Sequence, residues 1–164
     1  MKNHKMLPPT YLFAAILLMA AMHFLLPLSR VILFPWRLLG IIPLSLGLAL
    51  NLVANKAFKK HNTTVKPFEK STTLIKDGLF RFTRNPMYLG FLCILTGLGV
   101  FLGSFTPFVI VPVFAVLMEF VFIRAEERSL AETFPEEWPD YKAKVNRWIL
   151  GSPGNLSQRR NNRL

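Results

Sequence analysis

Two short clusters of charged and aromatic residues stand out in an otherwise apolar chain of 164 residues. The first is Gly78-Leu79-Phe80-Arg81-Phe82-Thr83-Arg84-Asn85-Pro86-Met87-Tyr88-Leu89-Gly90, and the second begins with Glu126-Glu127-Arg128-Ser129-Leu130. A carboxylate can hold a cation, an arginine can pair with a carboxylate, and an aromatic ring can face a cation or stack on a flat base. Such a set suits gripping a charged ligand, and no nucleophilic triad accompanies it. Cys93 is the only cysteine and sits in an apolar run, while His4, His23 and His61 are scattered without metal-ligand spacing. A capped helix start would account for the first cluster alone, with Asn85 as cap and Pro86 in the first turn. It does not account for a second polar cluster at the same depth.

The elements that must position these clusters are membrane-spanning helices. Hydrophobic residues make up 52% of the chain and charged residues 18%, too apolar a balance for an ordinary soluble domain. Four nearly uncharged runs, Tyr11 to Leu28, Leu38 to Val53, Met87 to Leu102 and Phe108 to Ile123, approach the roughly 20 residues needed to cross a bilayer. The first run follows Lys2 and Lys5 like a signal sequence, but its length and the three runs after it predict a retained helix. The expected fold is all-α: a polytopic membrane protein with four transmembrane helices and a C-terminal cytoplasmic amphipathic helix. Residues 1–150 form one domain, with the site mainly in 63–150, and 151–164 read as a disordered basic tail.

The net charge of +11 is not a nucleic-acid footprint, because it is distributed by loop. Lys56, Lys59, Lys60, Lys66, Lys70, Lys76, Arg81 and Arg84 fall between the second and third runs, and Arg159, Arg160 and Arg163 in the tail. The first loop has only Arg30 and Arg37, and the turn Gly103 to Pro107 has no charge. By the positive-inside rule both termini and the middle loop are cytoplasmic. In a bacterium the host would be the inner membrane.

Spans three and four form a tight hairpin across Gly103-Ser104-Phe105-Thr106-Pro107, which sets Glu126 and Glu127 opposite Asn85 and Tyr88. Helix continues past Ile123 to Phe134, where Pro135 ends it. A basic amphipathic helix is expected over Asp140 to Ile149, with Tyr141, Val145, Trp148 and Ile149 on one face. Gly97-Leu98-Gly99 lacks the strand a dinucleotide fingerprint requires, so these glycines predict close helix packing. Glu119, an ionisable residue within a span, either faces an interior cavity or reaches water at the interface. It precedes Glu126 by two turns on the same face of a regular helix. Asn51 and Asn55 either line the pocket or bond a neighbouring helix.

The order Gly78-Leu79-Phe80, Arg84-Asn85-Pro86-Met87-Tyr88, Glu126-Glu127-Arg128-Ser129-Leu130, Phe134, Tyr141, Val145 and Arg147-Trp148 resembles the isoprenylcysteine carboxyl methyltransferase and phospholipid methyltransferase group of integral membrane enzymes. The resemblance, which extends to Thr63-Thr64-Val65-Lys66-Pro67, covers roughly Asn55 to Ile149. It implies S-adenosylmethionine as cofactor, held by Leu74, Ile75, Phe80, Arg84, Asn85, Pro86, Met87, Tyr88 and Glu126. It implies Arg124 near the reacting groups, and Glu119 joins it as a catalytic candidate. The implied partners are a lipid-like methyl acceptor and membrane lipids, with no nucleic acid and no metal. Asn85 stands where some members have histidine, Phe80 where tyrosine is frequent, and Pro135 where glycine is common. A nicotinamide-dependent (NADPH) membrane reductase of the sterol reductase type is the alternative enzyme class, although such enzymes have more spans. A non-enzymatic lipid-binding protein would explain the helices but not the paired motifs.

Overall fold

The computed structural model describes residues 7–25, 30–64, 69 and 71–148. The expected tail 151–164, and Val65, Lys66, Pro67, Lys70 and Ile149, lie outside the described residues. Among the described residues the chain is helical, with no strand beyond an isolated bridge between Arg30 and Ser104. Helix α1 is Pro8–Leu25, α2 is Ile41–Lys60 with a 3-10 turn Trp36–Gly40 before it, and α3 is Pro86–Leu102. After a 3-10 turn at Thr106–Val109 comes one long rod made of α4, Ile110–Met118, a π-helical turn, Glu119–Ile123, and α5, Arg124–Thr133. A short helix α6, Trp138–Lys144, closes the described chain.

Three stretches, Pro8–Leu25, Trp36–Lys60 and Thr106–Thr133, are long and apolar enough to cross a membrane, and the apolar α3 is shorter at 17 residues. Three to four helices therefore suit a bilayer. Their outward faces are apolar as well: Phe13, Leu17, Leu46, Leu52, Val116 and Phe120 are all exposed. So wide an apolar surface requires lipid to cover it. The apolar part of the rod ends at Ile123, and α5 (Arg124-Ala-Glu-Glu-Arg-Ser-Leu-Ala-Glu-Thr133) is its charged extension.

Glycines set the tightest packing, as the sequence predicts for Gly97. Helices α2 and α3 meet with Gly40 against Gly97 and Gly47 against Gly90. A Cβ on Gly40 would stand 2.4 Å from the Gly97 carbonyl oxygen, and one on Gly47 would stand 2.4 Å from that of Gly90. Helix α3 ends at Gly103, whose φ of 76° makes a left-handed cap and turns the chain into the hairpin. The Gly103 carbonyl accepts the amides of Val31 and Ile32, and His23 Nδ1 lies 2.6 Å from Ser104 Oγ, which ties α1 and the first loop to this turn. Met19, Leu95, Met118, Phe122 and Ile123 fill the core between α1, α3 and the rod.

The last helix differs from expectation. It is Trp138–Lys144 rather than 140–149, because Pro139 suits a first turn and Val145 is already extended at φ −120°, ψ 132°. Its apolar residues do not face outward. Trp138, Tyr141 and Val145 are buried against Leu74, Leu130 and Phe134, and Trp148 packs on the main core.

Candidate functional site

The Asn85 end of α3, the start of α5, the segment 71–80 and α6 enclose a cavity of about 280 Å³. Its walls are mostly apolar, as in most small-molecule sites. Leu74, Ile75 and Phe80 are part of the apolar lining. Phe80 is held by an edge contact with Phe58 at 5.5 Å and by the Tyr141 hydroxyl, which donates to its carbonyl at 2.8 Å. Pro86, Met87 and Tyr88 also line it, as do Leu7 and the first two residues of α1, Pro8 and Pro9.

Ionic groups of both signs line this space: the carboxylates of Glu69, Glu126 and Glu127, and Arg84. Glu126 accepts the Tyr88 hydroxyl at 2.6 Å across the hairpin, and Tyr88 is fixed by stacking on Phe122, centroids 6.4 Å apart. Burial is the main cause that pushes the Glu126 carboxyl up to about 7; the Tyr88 bond pulls the other way and the neighbouring Glu127 charge adds to the rise. Arg84 is the counterpart, with its side chain only 8% exposed. Its guanidinium lies 5.5 Å from the centre of the Trp138 ring, and Nη1 is 3.1 Å from Glu127 Oε1. Nη1 lacks hydrogen-bonding alignment to that oxygen, and neither it nor Nε has a hydrogen-bond partner among the described residues. Burial lowers the Arg84 pKa, with Glu127 opposing, but an arginine remains charged.

Behind Arg84 lies an ion cluster. Arg147 donates from Nε to Glu127 Oε1 at 3.0 Å, from Nη2 to Glu127 Oε2, and from Nη1 to Glu119 Oε1 at 2.8 Å. The bond to Glu127 is the main cause raising the Arg147 pKa. The backbone beside it is strapped to the start of α3: the Arg84 amide donates to the Asn146 carbonyl at 2.9 Å, and Thr83 Oγ1 and Asn85 Nδ2 donate to the Arg147 carbonyl at 2.9 and 3.2 Å. Asn85 thus occupies the cap position of α3, but its side chain binds Arg147 and makes no cap bond.

All nine residues for which the resemblance implies cofactor contact line this one cavity: Leu74, Ile75, Phe80, Arg84, Asn85, Pro86, Met87, Tyr88 and Glu126. Glu119 and Arg124 do not. Glu119 pairs with Arg147 and, at 3.3 Å, with Arg124, which is half-exposed over the Phe120 ring. The expected alignment of Glu119 with Glu126 fails because the π turn adds a residue, so Glu119 shares a partner with Glu127 instead. Asn51 bonds its own helix at Gly47, and neither it nor Asn55 lines the cavity. Sequence reasoning placed Glu127 beside Glu126 in the second polar cluster and Tyr141 and Arg147 among the motif residues of the resemblance, but gave none of them a contact with the ligand, and it did not single out Trp138. Among the described residues no three His, Cys, Asp or Glu side chains group as metal ligands.

The apolar outward faces and the cavity at one end of the helices define an integral membrane protein with a ligand pocket of mixed apolar and ionic lining. The chain belongs to the phospholipid methyltransferase family, which it matches over residues 36–137. It is also 37% identical over 79 residues to the protein-S-isoprenylcysteine O-methyltransferase of Saccharomyces cerevisiae, a stretch covering 47% of this chain and 32% of that protein. The chain thus spans about a third of the length of the curated relative it matches. No solved structure matches it. Leu7 to Pro9, Trp138, Tyr141 and Arg147 lie outside the family match yet build the cavity and its support.

Proposed function

We propose that the chain is an S-adenosylmethionine-dependent methyltransferase acting at the cytoplasmic membrane face on a lipid-like or isoprenylated acceptor that reaches the cavity from the bilayer. The observation that carries this reading is one mostly apolar cavity lined by both a carboxylate, Glu126 held by Tyr88, and a guanidinium, Arg84, that makes no hydrogen bond to its neighbour Glu127. S-adenosylmethionine supplies a methyl group on a sulfonium, transferable by in-line displacement. Its ammonium suits Glu126, its carboxylate suits Arg84, and its adenine suits the wall of Leu74, Ile75 and Phe80. The protein then has to bind, orient and exclude water, and no nucleophilic side chain is required.

In this reading Arg124 and Glu119 do not touch the ligand, and Glu119 acts through Arg147. The basic middle loop supports four spans with both termini cytoplasmic. Purified protein in detergent, titrated with S-adenosylmethionine and with NADPH, is expected to saturate with the first and ignore the second. The Tyr88→Ala variant should remain folded and bind more weakly. Binding of NADPH in place of S-adenosylmethionine, or of neither, refutes the reading.

A further inference from the structure

We infer that Arg147 is a positioning residue whose grip on Glu127 keeps Arg84, which lines the cavity, out of a fork with that carboxylate and so available to the ligand's carboxylate. The inference rests on the proposed cofactor reading and goes beyond it to a residue outside the family match. Glu127, 9% exposed, is the carboxylate that stands within ion-pair distance of Arg84. Left alone, such a pair closes into the two-bond fork that arginine and carboxylate prefer. That fork would satisfy Arg84 inwardly and withdraw its donors from the ligand. Arg147 takes the fork instead, bonding both Glu127 oxygens, so Arg84 keeps the neutralising charge at 3.1 Å without the hydrogen bonds.

The π turn makes this arrangement possible. On a regular helix Glu119 and Glu127 would be about 80° apart, and one extra residue in the turn cuts this to about 20°. Both carboxylates then reach Arg147, and Glu119 fixes its third nitrogen at 2.8 Å. The backbone of Arg147 is pinned independently by Thr83 and Asn85, which flank Arg84 in sequence. The guanidinium and its target are therefore held to one rigid frame.

The test measures equilibrium binding to the full chain with two probes, S-adenosylhomocysteine, which carries the amino-acid end, and 5′-methylthioadenosine, which lacks it. Arg147→Lys retains the charge but cannot form the fork. It should weaken S-adenosylhomocysteine roughly tenfold to hundredfold, the effect of losing one charge-assisted bond, and leave 5′-methylthioadenosine within about threefold. In combination with Arg84→Ala it should add nothing to the loss from Arg84→Ala alone, because the two act as one unit. Glu119→Gln should show the same selectivity with a smaller loss, and carries the comparison should Arg147→Lys fail to fold. Equal weakening of both probes, or additive losses with Arg84→Ala, overturns the positioning role. A wild-type chain that binds neither probe overturns the cofactor reading and this inference with it.

Discussion

Replacing Glu126 with glutamine should remove a pH dependence that the structure builds into ligand binding. The carboxyl is pushed from an ordinary 4.5 to about 7, chiefly by burial. It must be ionised to hold an ammonium. With a pKa near 7 about half of the protein is ionised at pH 7 and about 3% at pH 5.5, so affinity should fall about fifteenfold over that interval. The ligand's α-amino group, ordinarily near 7.7–8.0, stays protonated throughout and does not blur the profile. Glu126→Gln should bind about tenfold to hundredfold more weakly at pH 7 and show a flat profile below it. The unliganded protein gives an independent check of opposite sign. A carboxyl whose folded pKa lies above its unfolded one stabilises the fold when protonated, so its contribution is present below about 4.5 and lost as pH rises to about 7, on the order of 3 kcal/mol in all. Wild-type protein in detergent should therefore lose thermal stability between pH 5 and 7.5 relative to Glu126→Gln. Calorimetric titration at four pH values, with melting curves in the same buffers, decides the matter. A wild-type binding profile as flat as that of the variant would refute the assignment of Glu126 as the ammonium partner.

Other consequences are open to direct test. Gly47→Ala should lower thermal stability by roughly 1–3 kcal/mol, because its Cβ would meet a backbone oxygen at 2.4 Å and force α2 from α3; unchanged melting would show that the interface is loose. Cysteine-accessibility labelling in a Cys93→Ser background should find Lys60→Cys reactive from the cytoplasmic side and Phe105→Cys from the other, and the reverse pattern overturns the proposed topology. In proteoliposomes, methyl transfer should rise along a series of acceptors with lengthening acyl or prenyl chains, since each buried methylene adds about 0.8 kcal/mol to partitioning. Equal rates for tailed and tailless acceptors would contradict lateral access.

Much of the architecture is readable from composition and punctuation. Runs of apolar residues dictate helices that lipid must cover, Gly103 permits the left-handed turn of the hairpin, and Pro135 follows the end of α5 at Thr133. The hairpin is local, so its registration of Tyr88 with Glu126 follows from two spans of similar length joined by a short turn. The family resemblance likewise rests on contiguous motifs, and the family match covers both of the clusters that carry them.

Tertiary structure alone decides the rest. A π turn has no composition of its own: Glu119-Phe-Val-Phe-Ile123 would serve a regular helix equally well, and its one-residue shift exchanges Glu126 for Glu127 as the companion of Glu119. Arg147 reads as a motif residue on a basic helix, with no partner assigned, until residues 62 and 64 positions away donate to its carbonyl and Glu127, 20 positions away, accepts from its guanidinium. Tyr141 and Val145 read as part of a membrane-facing stripe, since periodicity shows that a helix has an apolar face but not what covers it. Here the cover is Leu74, Leu130 and Phe134 of the same chain. Periodicity and propensity act over a few turns of chain, whereas the charge cluster of Arg84, Glu127 and Arg147 arises only when three separate segments meet in space.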